Sequence, residues 1–226
     1  MNAKGLPRIT VAILATMTGL YPAFYYIVKS ANPGLLAGKP AELLASYFYR
    51  GSFYAHITFG GIALLTGWMQ FSKKIRARNI DLHRGLGKAY MVAVALSGIA
   101  GFTIAMSATG GPVSMAGFGL LAAVWLYTDF QGYRAIRKLD IERHRAWMLR
   151  NYSLTFAAVT LRIYLPLATA VMHLSFIPSY RVISWLCWIP NLAVAEMLIR
   201  RAQKNPEGAS TGVSAPFQGR YKAVVK

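Results

Sequence analysis

Six stretches of this chain are nearly free of charge and long enough to cross a lipid bilayer: Ile9 to Val28, Tyr49 to Phe71, Leu86 to Ser107, Met115 to Tyr133, Trp147 to Met172 and Val182 to Ile199. A helix needs about 18 to 20 apolar residues to cover the hydrocarbon core. Composition agrees: 14% of the 226 residues are charged, against about a quarter in soluble domains, and mean hydropathy is +0.38. The expected fold is all-α, a polytopic transmembrane bundle of six spans over residues 1–201, with its core spans over about 48–172. The first run exceeds the apolar region of about 7 to 15 residues in a cleavable signal, and no small-x-small site follows it, so it counts as a span.

The net charge of +18 follows the same topology. Of the 25 Lys and Arg, 20 fall in four segments on one side: Lys4 and Arg8, six from Lys73 to Lys88, six from Arg134 to Arg150, and six from Arg200 to Lys226. Lys29, Lys39, Arg50 and Arg181 lie on the other side, and Arg162 lies within the fifth run. Cytoplasmic loops of membrane proteins carry the excess of Lys and Arg. Both termini are therefore expected in the cytoplasm, with the chain in a bacterial inner membrane among its lipids. Topology accounts for the charge, so no nucleic-acid partner is called for. The tail from residue 202 to 226 has the Gly, Ser and Pro content of a disordered segment.

Cys187 is the only cysteine, which excludes an intramolecular disulfide, a thiolate-held iron-sulfur cluster and c-type haem attachment. No Walker loop and no HExxH is present. The chemistry rests on four histidines, in two settings. "DLHRG" and "ERHRA" each place an acid two residues before a His-Arg pair at the start of an apolar run, so His83 and His144 share one level at the inner face. His56 lies roughly 22 Å deeper at about 1.5 Å per residue, and Arg162, 15 residues past Trp147, falls at the same depth. His173 lies near the outer headgroups.

An acid in the first turn suits the helix dipole, and the following arginine suits lipid phosphate. That explains Asp81, Glu142, Arg84 and Arg145, but not the histidines. Two neutral imidazoles at one level, each beside an arginine, are what a haem b with two propionates requires. In this scheme His83 and His144 hold the metal, Arg84, Arg145 or Arg150 meets the propionates, and Gln70 or Asp129 orients a ring. A quinone or an anionic headgroup would use much of the same chemistry. His56 is a further metal candidate, and His56, Arg162, Asn151 and Asp129 form the expected intramembrane polar site.

The elements His56, Gln70, "LHRGLGKAY" (82 to 90) and "HRAWMLRNYSLTFAAVTLRIYLP" (144 to 166) resemble a family of predicted bacterial integral membrane proteins filed as a domain of unknown function. The resemblance spans roughly residues 48 to 172. It implies a multi-pass bundle whose marked positions are His56, Gln70, His83, Arg84, His144, Arg145, Trp147, Arg150, Asn151, Arg162 and Pro166, and it brings no established activity. The arrangement is also loosely similar to small four-helix membrane cytochromes with histidine-held haem. The leading reading is electron transfer within the membrane, by haem b or another metal, with a quinone or redox partner. A proton or small-molecule transporter using His56 and Arg162, a lipid-interacting assembly protein, and an enzyme acting on lipids are the alternatives.

Overall fold

The computed structural model describes residues 6–27, 34–36 and 38–204; Lys4, Lys29 and most of the expected tail lie outside them. Among the described residues every regular element is helical. In chain order they are α1 (Leu6–Ile27), a 3-10 turn (Gly34–Leu36), α2 (Ala41–Ala45), α3 (Tyr47–Gln70), α4 (Lys73–Arg78), α5 (Ile80–Ala105), α6 (Pro112–Arg137), α7 (Ile141–Thr155), α8 (Ala157–Pro166), a π-helical turn (Leu167–Val171), α9 (Phe176–Leu186) and α10 (Ile189–Lys204). In hydrocarbon a helix satisfies its own backbone, which suits runs this apolar.

Four segments are long and apolar enough to cross a membrane: Ile80–Ala105, Pro112–Arg137, Ile141–Val171 and Phe176–Lys204. The first expected run is represented by a shorter apolar helix, Ile9–Ala23. The second lies in α3, whose Arg50, His56, Thr58, Thr66 and Gln70 dilute its apolar character. The fifth run is not one regular helix: it is interrupted at Phe156 between α7 and α8, and widens into the π turn after Pro166. His173 ends it with φ 54°. The sixth is jointed at Cys187 and Trp188, two residues before Pro190, which has no N–H to donate. Its second half runs to Lys204, past the expected boundary at residue 201.

Helices adjacent in sequence pack as neighbours. The chain α1, α3, α5, α6, α7 is a series of contacts, α8 returns to α1, and the sixth segment lies on α6 through α9 and on α7 through α10. The α1–α3 crossing is backbone-close, since a β-carbon on Gly61 would run into the Gly19 carbonyl. Small residues allow such approach where lipid gives no hydrophobic drive between helices. Ala63, Tyr90, Val94, Trp125, Tyr152, Ile183 and Cys187 are buried in the middle, while Val92, Ile99, Phe102 and Leu120 face outward.

Candidate functional site

The doubled motif begins two residues earlier than the acid. In "NIDLHR" the Asn79 side chain accepts the Leu82 N–H at 2.8 Å. In "DIERHR" Asp140 accepts the Arg143 N–H at 2.9 Å. Both are N-caps, the Asx side chain taking an otherwise orphaned first-turn donor. His83 and His144 stand four residues past their caps, one turn into α5 and α7, and their own N–H groups bond the cap carbonyls. Asp81 is 88% exposed and meets Arg84 across one turn at 3.7 Å. One local design thus turns the acid outward and leaves the histidine and arginine partly buried, at the end of the bundle that carries α4. That end is called the basic end below.

His83 is read by Gln70 from the last turn of α3. The Gln70 amide oxygen accepts the Gly87 N–H at 3.3 Å, and its nitrogen donates to the His83 carbonyl at 3.1 Å and to His83 Nδ1 at 2.8 Å. The orientation follows from the main-chain partners, one an obligate donor and one an obligate acceptor. It makes His83 Nδ1 an acceptor, so the neutral ring carries its proton on Nε2. His144 is the reverse. Its Nδ1–H donates to the Gly132 carbonyl of α6 at 2.8 Å, which leaves a bare lone pair on Nε2. The charges of Arg76 and Arg84 act on the His83 ring. Arg76, on α4, also donates to the Gln70 carbonyl at 3.3 Å. The two rings of the doubled motif are thus held in opposite tautomers, by α3 and by α6.

Deeper in the bundle lies a second polar group, and its donors and acceptors balance. Tyr90 O–H donates to Asn151 Oδ1 at 2.5 Å. Asn151 Nδ2 spends its two protons on the Trp125 carbonyl and Thr128 Oγ1, at 2.8 and 2.9 Å. Trp125 Nε1–H goes to Thr155 Oγ1 at 2.9 Å, and the Thr128 hydroxyl returns to the Trp125 carbonyl at 2.9 Å. Asn151 is 0% and Tyr90 1% exposed. The knot clamps α5, α6 and α7. Gly67 on α3 makes room beside it, because a β-carbon there would strike the Tyr152 and Tyr90 rings. Asp129 borders this group, its charge reaching Tyr90, and its Oδ1 is buried without a donor among the described residues.

The remaining expected site residues are elsewhere. Arg150 makes a two-point ion pair with Glu196 of α10 and lies over the Trp147 ring, 4.6 Å from its centroid. Arg145 lines a cleft between α7 and α10, with Leu198 and Gln203 opposite. Neither faces the histidine pair, so Arg84 and Arg76 are the guanidinium groups beside the His83 ring. Asp129 orients neither ring, since Gln70 and the Gly132 carbonyl hold them. His56 sits far along α3, where its Nδ1–H donates to the Ser97 carbonyl at 2.9 Å and Ser97 O–H donates back to the His56 carbonyl at 2.8 Å. Gly101 leaves space for that ring. The Arg162 charge acts on His56, while its guanidinium donates to the Ala158 carbonyl at 2.9 Å and lies 4.9 Å from the Tyr21 ring centre. His56 and Arg162 are thus neighbours, apart from Asn151 and Asp129. Among the described residues no group of three or more His, Cys, Asp or Glu side chains is arranged to hold a metal.

Sequence reasoning named Asn151 but missed the N-caps, Arg76, Ser97 and the rest of the Tyr90 knot. The caps were legible, since Asn and Asp stand at the same offset from both histidines; Tyr90, Trp125, Thr128 and Thr155 are ordinary core residue types and gave no signal. No curated protein and no solved structure matches the chain. Residues 53–199 match the family described as "Predicted membrane protein (DUF2306)", which takes in both histidine motifs and all of α5 to α9, and the chain belongs to that family.

Proposed function

We propose that this membrane protein holds the head group of a membrane quinone at the His83–His144 cluster and passes electrons within the bilayer. In this reading the chain crosses a bacterial inner membrane six times, with its basic end in the cytoplasm. One observation carries it: the two rings are fixed in opposite tautomers, so His83 offers an N–H and His144 offers a lone pair. A quinone carbonyl accepts from the first, and the hydroxyl of the reduced head group donates to the second. Arg76 and Arg84 add positive charge that favours a ligand gaining electrons. The test is photolabelling of the purified chain in lipid nanodiscs with a short-chain azidoquinone. The adduct is expected on α5 or α7, competed by unlabelled quinone and lost in both His83→Ala and His144→Ala. Labelling that excess quinone does not compete would sink the reading.

Haem b between the same histidines is the second reading, favoured by the Nδ1–H bond of His144, the kind of contact that orients a metal-ligating ring. The fit is partial. His83 would have to exchange its proton and give up the Gln70 contact, and any propionate partners would be Arg76 and Arg84 rather than Arg145 and Arg150. A Soret band that shifts on reduction, and disappears in His83→Ala and in His144→Ala, would favour haem over quinone.

A further inference from the structure

The two copies of the motif share the spacing acid-x-x-Arg and put it to different uses. In the first, Asp81 and Arg84 meet across one turn of α5. In the second, Glu142 and Arg145 stand at the same spacing in α7, yet no ion pair joins them among the described residues. Arg145 lies half-buried in the cleft between α7 and α10, with Arg143 beside it. Among the described residues no acceptor takes a proton from either guanidinium. The acids nearby are not spare: Asp140 caps α7 through the Arg143 N–H, Glu196 is held at two points by Arg150, and Glu142 is exposed at the mouth of the cleft. A guanidinium taken partly out of water with no acceptor is costly, and an anion from outside the fold would relieve it.

The cleft is also graded in polarity. Asn191 donates to the Ser153 carbonyl at 3.3 Å and Glu196 meets Arg150, so α7 and α10 run antiparallel. Leu149 and Leu198 therefore line the cleft on the side toward the bilayer, and Arg143 and Gln203 line it on the side toward the basic end. Trp147 stands two residues past Arg145, a rise of about 3 Å, and packs edge-on against Tyr127 of α6. Such aromatic residues mark the headgroup level of a bilayer. The volume, about 490 Å³, is that of a small-molecule site. The chain's own tail does not complement it, since residues 205–226 carry Arg220, Lys222 and Lys226 against one acid, Glu207. We propose that the α7–α10 cleft binds one anionic glycerophospholipid from the leaflet at the basic end, whatever ligand the histidine cluster holds. Arg145 donates to the phosphate oxygens, Arg143 adds charge at the mouth, and an acyl chain runs inward along Leu149 and Leu198. Basic pockets between membrane helices take anionic head groups in this way.

The test is native mass spectrometry of the full chain in detergent, with phosphatidylglycerol and phosphatidylcholine of identical acyl chains as probes. Wild type is expected to hold one phosphatidylglycerol per chain in preference to phosphatidylcholine. Arg145→Gln should weaken that binding by about tenfold, the scale of one charge-assisted contact. Arg137→Gln, which removes the same charge from the exposed last turn of α6 outside the cleft, should leave it unchanged. The headgroup preference is read on wild type, so a variant that fails to fold does not protect the proposal. Equal retention of the two lipids by wild type overturns it, and equal loss in Arg145→Gln and Arg137→Gln overturns the cleft as the site. Displacement of the lipid by inorganic phosphate or by polyglutamate would make the occupant a free anion or an acidic protein segment, and would overturn the lipid.

Discussion

The Tyr90–Asn151 knot and the Gln70–His83–His144 cluster use similar groups a few turns apart, and they end in opposite states. In the knot every side-chain proton reaches an acceptor within the protein. In the cluster each imidazole spends one nitrogen on a fixed partner, Gln70 or Gly132, and keeps the other for something else. A saturated network in a membrane interior is a clamp, since leaving it half-made is more costly than building none. A network with one donor and one acceptor left over, beside guanidinium groups, is what the proposed quinone site needs. Polar content alone does not distinguish the two; the remainder after every proton is assigned does.

That contrast breaks first at its centre. Asn151→Leu removes the hub of the knot and leaves the Tyr90 hydroxyl, the Trp125 carbonyl and Thr128 short of partners. Stability should fall by about 3 kcal/mol, read from denaturant unfolding in detergent, and quinone labelling should fall only in proportion to the folded fraction. Gly67→Ala is expected to cost about 2 kcal/mol by driving a methyl into the Tyr152 and Tyr90 rings; an unchanged unfolding midpoint would show that α3 yields there without strain.

The cluster should respond the other way. Gln70→Leu frees the His83 ring to choose its tautomer at a stability cost below about 1 kcal/mol, while quinone affinity drops by about tenfold. Nitrogen NMR of labelled histidine checks the cause directly, as His83 should lose its Nε2–H preference and His144 should not. The smallest effect is expected from Arg150→Leu. Its ion pair with Glu196 is partly open to solvent, with side chains 21% and 35% exposed, and such pairs contribute about 0.2 to 1 kcal/mol. Labelling at the histidine cluster should be unchanged, and a large loss there would return Arg150 to the site.

Much of this was readable in one dimension. Apolar length gave the helices, and counting residues from a span end put His83 and His144 at one depth, and His56 with Arg162 at another. Depth is a property of sequence distance, so it survives folding. Facing direction does not: Arg145 follows His144 immediately, yet a helix turns about 100° per residue, and which neighbour stands in that direction is decided by helices far away in sequence. Backbone partners were also invisible, because Gly132 and Ser97 contribute carbonyl groups that every residue has. The break at Phe156 was likewise hidden inside a run whose hydropathy never falters, whereas Pro190 marks the joint at Cys187 and Trp188 in the sequence itself.

The joint in the last segment has a mechanical consequence. A straight rod has one axis and can lie along one neighbour, but two rods joined end to end have a further degree of freedom. Across the joint, α9 lies on α6 and α10 lies on α7. The elbow is not left to thermal motion. The Cys187 carbonyl at the bend receives the Thr160 hydroxyl at 2.9 Å and the Asn191 amide at 2.9 Å, and Asn191 also grips Thr160 at 2.8 Å. The joint of the last segment is thereby held by a bracket from α8, written in side chains that span the break between α9 and α10.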